Sequence, residues 1–402
     1  MRFPGFDLEK NSYKKYIFKD IFLFSTGKNI KQNEASPEFE TFCVRYGELY
    51  HMYNEVITEV FNKTNLDKSE LHFSQGDEIL LPSAGEDPLD IGLASALTVA
   101  NVAIGRTINI LKPINSDVYS QIYVSYYINH KLRRKISNLA KGSSISNVYN
   151  SDLKTLEIIL PNLDEQKRTS NFLLLLNDRI STQKKIIDNL VYLMLGFREK
   201  IFSNKIRFKD EDGNDFVDWE TLNLGTVLIK NSNKNKDLKY LNVQSVSNKY
   251  GFINQDEVFQ DRRVASVNTS NYYVIEKGHF AYNPSRIDVG SLAYKSDDSV
   301  SIISPLYISF KADNNLLNDD FLLIWFFTLE FNFQMSNSFE GSVRNTLSYE
   351  SLSKMKIKFP SIKEQTKIAN FLSSIGDKIR LEKEILQKLE LQKKYLLVNL
   401  FV

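Results

Sequence analysis

The sequence contains 402 residues with a hydrophobic content of 42% and a formal net charge of +2. This composition allows two packed domains and argues against global disorder. It excludes binding to nucleic acid through overall positive charge, so such a partner would need local basic patches.

A single cysteine, Cys43, excludes a disulfide framework, and the scattered histidines show no metal-ligand spacing. We therefore expect no metal site. The N-terminus lacks the apolar segment of a signal peptide, and the most apolar run, FLLIWFFTLEF, is too short to span a bilayer. These features predict a cytoplasmic protein with no membrane partner.

Residues 1–160 combine short β-rich runs, among them YIFKDIFLF, DEILLP and TINILKP, with the helical run VYSQIYVSYYINHKLRRKISNLA. Gly, Pro and Asn separate the runs, and LKTLEIILP closes the region as a strand. The pattern predicts an α+β domain with a mainly antiparallel sheet. The basic stretch NHKLRRKISNLAKGSS suits contacts with DNA phosphates, although a solvated surface is the alternative. Its candidate DNA-binding residues are Lys131, Arg133, Arg134, Lys141 and Ser143.

Residues 161–203 begin like a helix, because Glu165 follows Asn162 at the spacing of a capping box. Apolar residues then recur in steps of three and four, as in a coiled-coil seam. The members of this seam are Phe172, Leu176, Ile180, Ile187, Leu190, Met194, Phe197 and Ile201, with Gln183 in a gap. Two ordinary amphipathic helices could produce the pattern, as could two long helices of about 60 Å that pack on each other.

Residues 204–359 repeat the plan of the first region, with the β-rich runs YYVIE and PLYISFKA, the helical run DDFLLIWFFTLEFNFQM and the closing strand LSKMKIKFP. The stretches KNSNKNKDLKY and GSVRNTL supply further candidate DNA-binding residues, Lys230, Lys234, Arg344 and Asn345.

Residues 360–402 repeat residues 161–203 at a constant offset of 199, and the match begins at the Gly-Ser pairs of Gly142 and Gly341. In this second copy Glu382 and Lys393 interrupt the apolar seam. A period this long is typical of a duplicated domain, for which a pseudo-twofold arrangement is expected.

The two halves differ where the offset places Arg45 against Gln244. Arginine typically reads guanine and glutamine adenine in the major groove, so this difference suits two different readers. Arg286 follows Pro284-Ser285, whereas Ala84 follows Pro82-Ser83, and it is a further candidate.

The two helix starts resemble those of a known family, the specificity subunits of type I restriction–modification enzymes. The resemblance is carried by LPNLDEQKRTSNFLLLLNDRI, FPSIKEQTKIANFLSSIGDKI, the Gly-Ser loops and DFVDWETLNLG. It spans the whole chain in architecture, and its specific motifs cover the repeated segments. The recognition domains diverge within the family and offer no transferable base-contact residues.

The resemblance implies two target-recognition domains, residues 1–160 and 204–359, separated by two long antiparallel helices, residues 161–203 and 360–402, that form a coiled coil. Each domain should bind half of a bipartite, asymmetric double-stranded DNA target in a bacterium or archaeon. The helices should dock two methyltransferase subunits, and restriction subunits should join to cleave. S-adenosylmethionine, ATP and Mg would belong to those partners. Candidate docking residues are Glu165, Gln166, Phe172, Glu364, Gln365 and Phe371.

The sequence fits two other functions less well. A stand-alone DNA methyltransferase would need a Gly-rich turn for S-adenosylmethionine, and AYNPSRIDVG only superficially resembles a target-amine motif. A coiled-coil adaptor without DNA affinity would leave the basic, Asn-rich loops of both variable regions unexplained. We therefore expect a non-catalytic DNA-recognition subunit.

Overall fold

A computed structural model describes residues 13–142, 144–255, 268–340 and 345–401. It divides into two compact units. The first unit contains the described residues up to Lys184 and those from Glu384 onward, and the second contains the described residues from Lys185 to Lys383. Each unit therefore combines one variable region with parts of both long helices.

The first unit contains thirteen strands among its described residues. They are β1 Lys14–Ile17, β2 Phe22–Thr26, β3 Thr41–Val44, β4 Val56–Ile57, β5 Lys63–Thr64, β6 Phe73–Gln75, β7 Glu78–Pro82, β8 Ala84–Gly85, β9 Ser95–Leu97, β10 Ala100–Ile104, β11 Ile108–Pro113, β12 Ser146–Asn147 and β13 Glu157–Leu160. The main sheets have the orders β2-β11-β7-β9-β4 and β5-β3-β10-β6. Most neighbours are antiparallel, but β3 runs parallel to β10 and β4 to β9.

Short helices of the first unit cover these sheets. They are Phe18–Ile21, Glu48–His51, Pro88–Ile91, Gln121–Tyr127, Arg133–Ser137 and Asn150–Leu153. The predicted helical run is present as Gln121–Tyr127 and Arg133–Ser137, joined by a π-helical segment at Ile128–Leu132. Its apolar face is buried with Phe22, Ile79 and Leu111 in the core of the unit.

The second unit repeats this plan. Its described strands are β14 Glu220–Asn223, β15 Leu228–Lys230, β16 Val243–Ser247, β17 Gly251–Asn254, β18 Tyr273–Ile275, β19 Phe280–Tyr282, β20 Leu292–Tyr294, β21 Ser301–Ile303, β22 Ile308–Ala312 and β23 Lys356–Phe359. The four-stranded sheets have the orders β15-β22-β19-β20 and β17-β16-β21-β18, and β16 runs parallel to β21. The closing strands β13 and β23 pair with β1 and β14 at matching places. The predicted α+β fold with two copies of one domain is confirmed.

The helices of the second variable region are Asp319–Trp325, Leu329–Asn337 and Tyr349–Lys354. The predicted single run from Asp319 is therefore two helices. The chain turns because Thr328 caps the second helix, and its hydroxyl accepts a hydrogen bond from the Phe331 N–H at 3.2 Å.

Two long helices follow the closing strands, Leu163–Phe202 with 40 residues and Ile362–Leu400 with 39. In the first unit they run antiparallel, because Lys184 pairs with Glu390 at 3.0 Å while Leu173 lies in one core cluster with Leu397 and Leu400. Gln183 and Glu382, which interrupt the apolar pattern, are both buried. The prediction of long, packed helices is confirmed, and the alternative of ordinary amphipathic helices is wrong.

At the end of each long helix, an aromatic side chain packs inside a variable region: Phe202 is the last residue of the first helix, and Phe401 follows the last residue of the second. In the second unit the Phe202 ring lies 4.9 Å from that of Phe321. In the first unit Phe401 packs at 5.0 Å from Tyr123 and stacks on His130 at 6.3 Å. The end of each helix is therefore part of a domain core.

Candidate nucleic-acid interface

In each domain a cleft lies beside a pair of parallel strands. Val44 at the end of β3 lies opposite Ile104 of β10, and Gln244 of β16 lies opposite Ile303 of β21. The carboxyl ends of parallel strands meet at one sheet edge, which is a common place for a binding site. One repeated segment lines a cavity in both domains, as residues 46–48 after β3 in the first and as residues 245–247 within β16 in the second.

We call the cavity of the first unit the basic cleft. It measures about 460 Å³ and is lined by Ile30, Lys31, Gln32, Arg45, Tyr46, Gly47, Glu48, His51, Met52 and Arg106. Three of these residues carry permanent positive charge, and the single carboxylate, Glu48, is 4% exposed. The cleft can therefore attract an anionic or electron-rich ligand.

Arg45 is held at the edge of the basic cleft by Glu48. Its Nε donates to Glu48 Oε1 at 2.9 Å, and its backbone N–H donates to Oε2 at 3.1 Å. The amide of Asn62 donates to the same Oε1 at 2.9 Å. A buried carboxylate that accepts several hydrogen bonds fixes its partners strongly.

Behind Arg45, the thiol of Cys43 is buried in β3. Burial, followed by the charge of Glu48, raises the pKa of the Cys43 thiol to about 12. The thiol is therefore protonated at neutral pH and serves as part of the packing.

We call the corresponding cavity of the second unit the polar cleft. It is lined mainly by neutral residues, including Ser245, Ser247, Asn248, Gln255, Asn283, Ser291 and Ser304, with Arg286 as its basic residue. An adjoining cavity is lined by Pro284, Arg286 and Asn345. The structure thus brings together two predicted site residues, Arg286 and Asn345, both of which are exposed.

Gln244 occupies a different setting from Arg45. It is 7% exposed inside β16, and its Nε2 donates to Asn254 Oδ1 at 3.1 Å. Arg45 instead follows the last residue of β3. The two side chains therefore do not occupy equivalent positions, and their assignment to DNA contacts stays a prediction.

The other predicted DNA-binding residues are spread over several surfaces. Lys131 and Arg134 are exposed, whereas Arg133 donates to the Leu89 carbonyl at 2.9 Å and Lys141 pairs with Asp152 at 2.8 Å. In the second unit, the ammonium groups of two residues lie over aromatic rings. These residues are Lys230, 5.1 Å from the Tyr349 centroid, and Lys234, 3.4 Å from that of Tyr273.

The two Gly-Ser loops are each closed by a β-bridge at the same place. Lys141 bridges to Asn147, and Glu340 bridges to Thr346 at the offset of 199. Two of the predicted site residues in these loops, Ser143 and Arg344, lie outside the described residues.

The predicted docking residues at the helix starts lie inside the fold. Gln166 and Gln365 are fully buried, and Glu165 and Glu364 are at most 2% exposed. Gln365 accepts from the Asn318 N–H at 2.8 Å and donates to two carbonyl oxygens, and Gln166 makes the matching bonds with Ser120 and two carbonyls. We correct the expectation that these four side chains contact a partner, since buried groups fix each helix to its domain.

One hydrogen bond of the predicted capping box is present at each helix start. The N–H of Glu165 donates to Asn162 Oδ1 at 2.8 Å, and that of Glu364 donates to Ser361 Oγ at 3.5 Å. The Glu364 carboxylate binds Arg207 at 2.9 Å. Phe172 and Phe371 are partly buried, and Phe371 packs on Phe197 at 5.3 Å within the second unit.

Sequence reasoning missed Lys31, Glu48 and Arg106 of the basic cleft. The sequence repeat could have indicated Arg106, because the offset of 199 pairs this arginine with Pro305, which is not basic. In the described part of the chain, no cluster of three or more His, Cys, Asp or Glu side chains could hold a metal ion. None of the described helices is long and apolar enough to cross a bilayer.

Two copies of one α+β domain, each with a cleft beside its parallel strands and each joined to a long helix, define a duplicated binding protein. The family model of the type I restriction modification DNA specificity domain matches residues 11–191 and 216–391. The chain belongs to this family, as the sequence resemblance predicted. The family also confirms a DNA-specificity subunit rather than an enzyme.

Individual relatives agree with the family. The type I restriction enzyme StySPI specificity subunit of Salmonella potsdam is 22% identical over 323 residues, which cover 77% of this chain and 69% of that protein. The crystal structure of a type I restriction-modification S subunit from M. genitalium has a TM-score of 0.61 at 17% identity, covering 100% of this chain and 99% of that one. A structure from a study of complex assembly in the type I R-M system has a TM-score of 0.51 at 13% identity over 96% of each chain. These structures share the fold.

Proposed function

We propose that this chain reads a bipartite, asymmetric target in double-stranded DNA, one half through each variable domain. The observation that carries the proposal is a pair of clefts, one in each domain, that share one repeated segment but have different linings, one basic and one mostly neutral. Two identical readers would favour a symmetric target, whereas these two clefts present different donors and acceptors.

The long helices would dock the partner subunits of the complex. Each unit exposes large apolar side chains on these helices, which a monomeric surface rarely clusters. In the first unit Leu391, Tyr395 and Val398 are 58%, 56% and 65% exposed and share one helix face. In the second unit the exposed residues are Tyr192, Leu193, Leu195 and Leu381.

We infer two methyltransferase subunits, because exposed apolar helix surface is present in both units. Restriction subunits would join this assembly to cleave unmodified DNA. S-adenosylmethionine, ATP and Mg would be bound by those partners, and the assembly would work in the cytoplasm of a bacterium or archaeon.

Tyr395→Glu tests the docking role, because it places a charge in the middle of the exposed apolar face. We expect at least a tenfold loss of affinity for the methyltransferase subunit, which is about 1.4 kcal/mol. Leu23→Glu, at a residue that is 58% exposed on β2, is the matched control. Equal affinity of both variants and the parent chain would contradict docking on this face.

DNA binding is tested by the mobility of duplex DNA with this chain and its methyltransferase partner. Phosphate contacts would make the affinity fall steeply as salt rises. Binding that is absent, or that does not depend on salt, would reject the proposed function.

A further inference from the structure

We propose that the basic cleft of the first domain reads guanine, with Arg45 and Arg106 as the contacting residues and Glu48 as the residue that positions Arg45. The proposal rests on the proposed function and assigns to one cleft the chemistry of one half-target. It includes two residues, Glu48 and Arg106, that were not among the residues predicted from the sequence.

The setting of Arg45 suits a base edge. Glu48 accepts from its Nε and backbone N–H, which fixes the plane of the guanidinium group. Among the described residues, no hydrogen bond or ion pair uses either Nη atom of Arg45. Those amino groups remain available for the paired acceptors O6 and N7 of guanine, the commonest specific arginine contact.

Glu48 is itself held in place. It is 4% exposed, and Asn62 donates to it at 2.9 Å. An exposed arginine carries large rotamer freedom, which binding would have to remove. A carboxylate that already orders Arg45 lowers this cost and favours one direction of approach.

Arg106 enters the same cleft because three chain segments approach closely. The Gly105 N–H donates to the Val44 carbonyl at 2.8 Å, and the Arg106 N–H donates to that of Asn29 at 2.9 Å. A Cβ atom added to Gly105 would lie 3.1 Å from the Val44 oxygen, so glycine permits this approach. Arg106 is exposed, and its side chain makes no hydrogen bond to any described residue.

The backbone around the cleft is strained. Ile30 and Thr107 have φ values of 57° and 68°, a left-handed conformation that β-branched residues rarely adopt. Ile30 lines the cleft, and Thr107 follows Arg106. Such strain persists where the surrounding structure enforces it, and it is concentrated at binding sites.

The cleft composition favours base reading over phosphate binding alone. A phosphate needs positive charge without a fixed plane, and Lys31 at the rim can supply it. Tyr46 and Met52, which are 41% and 46% exposed, add apolar surface suited to a thymine methyl group. The polar cleft of the second domain provides an internal comparison, because Arg286 is the basic residue in its lining.

The test uses this chain in complex with its methyltransferase partner. The target is first defined by mapping methylated sites in genomic DNA. Each guanine of the target is then replaced by 7-deazaguanine, which lacks the N7 acceptor, and duplex affinity is measured at fixed salt. For the parent complex we expect a loss of about 5- to 150-fold at one or two guanines of a single half-target.

In the Arg45→Ala or Arg106→Ala complex, the penalty for 7-deazaguanine should vanish at the contacted guanine and remain unchanged in the other half-target. Glu48→Gln should reduce the Arg45-dependent penalty without abolishing DNA binding, which a merely structural role would not produce. Lys68→Gln, at an exposed residue of the same domain outside the cleft, is the control.

Other results would reject either guanine reading or the proposed function. Penalties that are the same in the parent and both arginine variants would overturn guanine reading, as would a half-target made only of A·T pairs. A lower salt dependence with unchanged penalties would assign both arginines to phosphates and reject the proposal. A parent complex without sequence preference would instead reject the proposed function itself.

Discussion

The buried glutamine of each helix start leads to a quantitative prediction. Gln365 is fully buried and joins three backbone groups, the N–H of Asn318 and the carbonyls of Leu316 and Pro360, at 2.8, 2.9 and 2.8 Å. Gln365→Met keeps the length of the side chain but removes all three bonds. Because each orphaned buried group costs about 1–3 kcal/mol and the costs overlap, we expect a loss of about 3–5 kcal/mol.

Tryptophan fluorescence reports this loss, because Trp325 lies in the core cluster of the second unit and Trp219, the other tryptophan of the chain, packs against that cluster. With a denaturant slope of about 4–6 kcal/mol per molar guanidinium chloride, the unfolding midpoint should fall by roughly 0.5–1.2 M. Gln387→Met, at an exposed position of the same helix, is the control. A midpoint shift no larger than that of the control would refute the buried hydrogen-bond network.

Three further predictions concern the first unit and the polar cleft. Phe401→Ala should destabilise the packing of the second long helix on Tyr123 and Tyr126 by about 3–5 kcal/mol. The loss is measured as faster hydrogen exchange of the same helix, and Tyr395→Ala, at an exposed residue of that helix, is the control. Burial raises the pKa of Glu55, but His130 and Lys393 outweigh burial and hold it below its usual 4.5. Glu55→Gln should therefore accelerate the same exchange at pH 7, and the difference should shrink as pH falls through the lowered folded-state pKa of Glu55. A difference that stays constant would contradict the stabilising contacts of the Glu55 carboxylate with His130 and Lys393. Arg286→Ala should change methylation at positions of one half-target only, while changes in both halves would contradict its place in the polar cleft.

The sequence predicted the features that repeat. The offset of 199 predicted the equivalent closing strands and the long helices, because hydrophobic periodicity and capping residues act locally. It also indicated Arg286 and Asn345 through their positions near repeated motifs, and the structure brings these two residues to one cavity.

Features that depend on long-range contacts could not be predicted from the sequence. The Glu-Gln pairs were expected to meet partner subunits, but the two glutamines are buried and bind backbone groups 46 and 49 residues earlier, at Ser120 and Leu316. The basic cleft assembles residues near positions 30, 45 and 106 through parallel strand pairing. A search for clusters along the chain cannot join such distant segments.

The central claim is that two unlike clefts read two unlike halves of one DNA target. Methylation mapping of genomic DNA from a host that expresses this chain with its methyltransferase partner tests it most directly. We expect a bipartite, asymmetric motif with an unread gap of constant length, and we expect its methylation to be lost when this chain is omitted. A continuous or palindromic motif, or methylation independent of this chain, would contradict the claim.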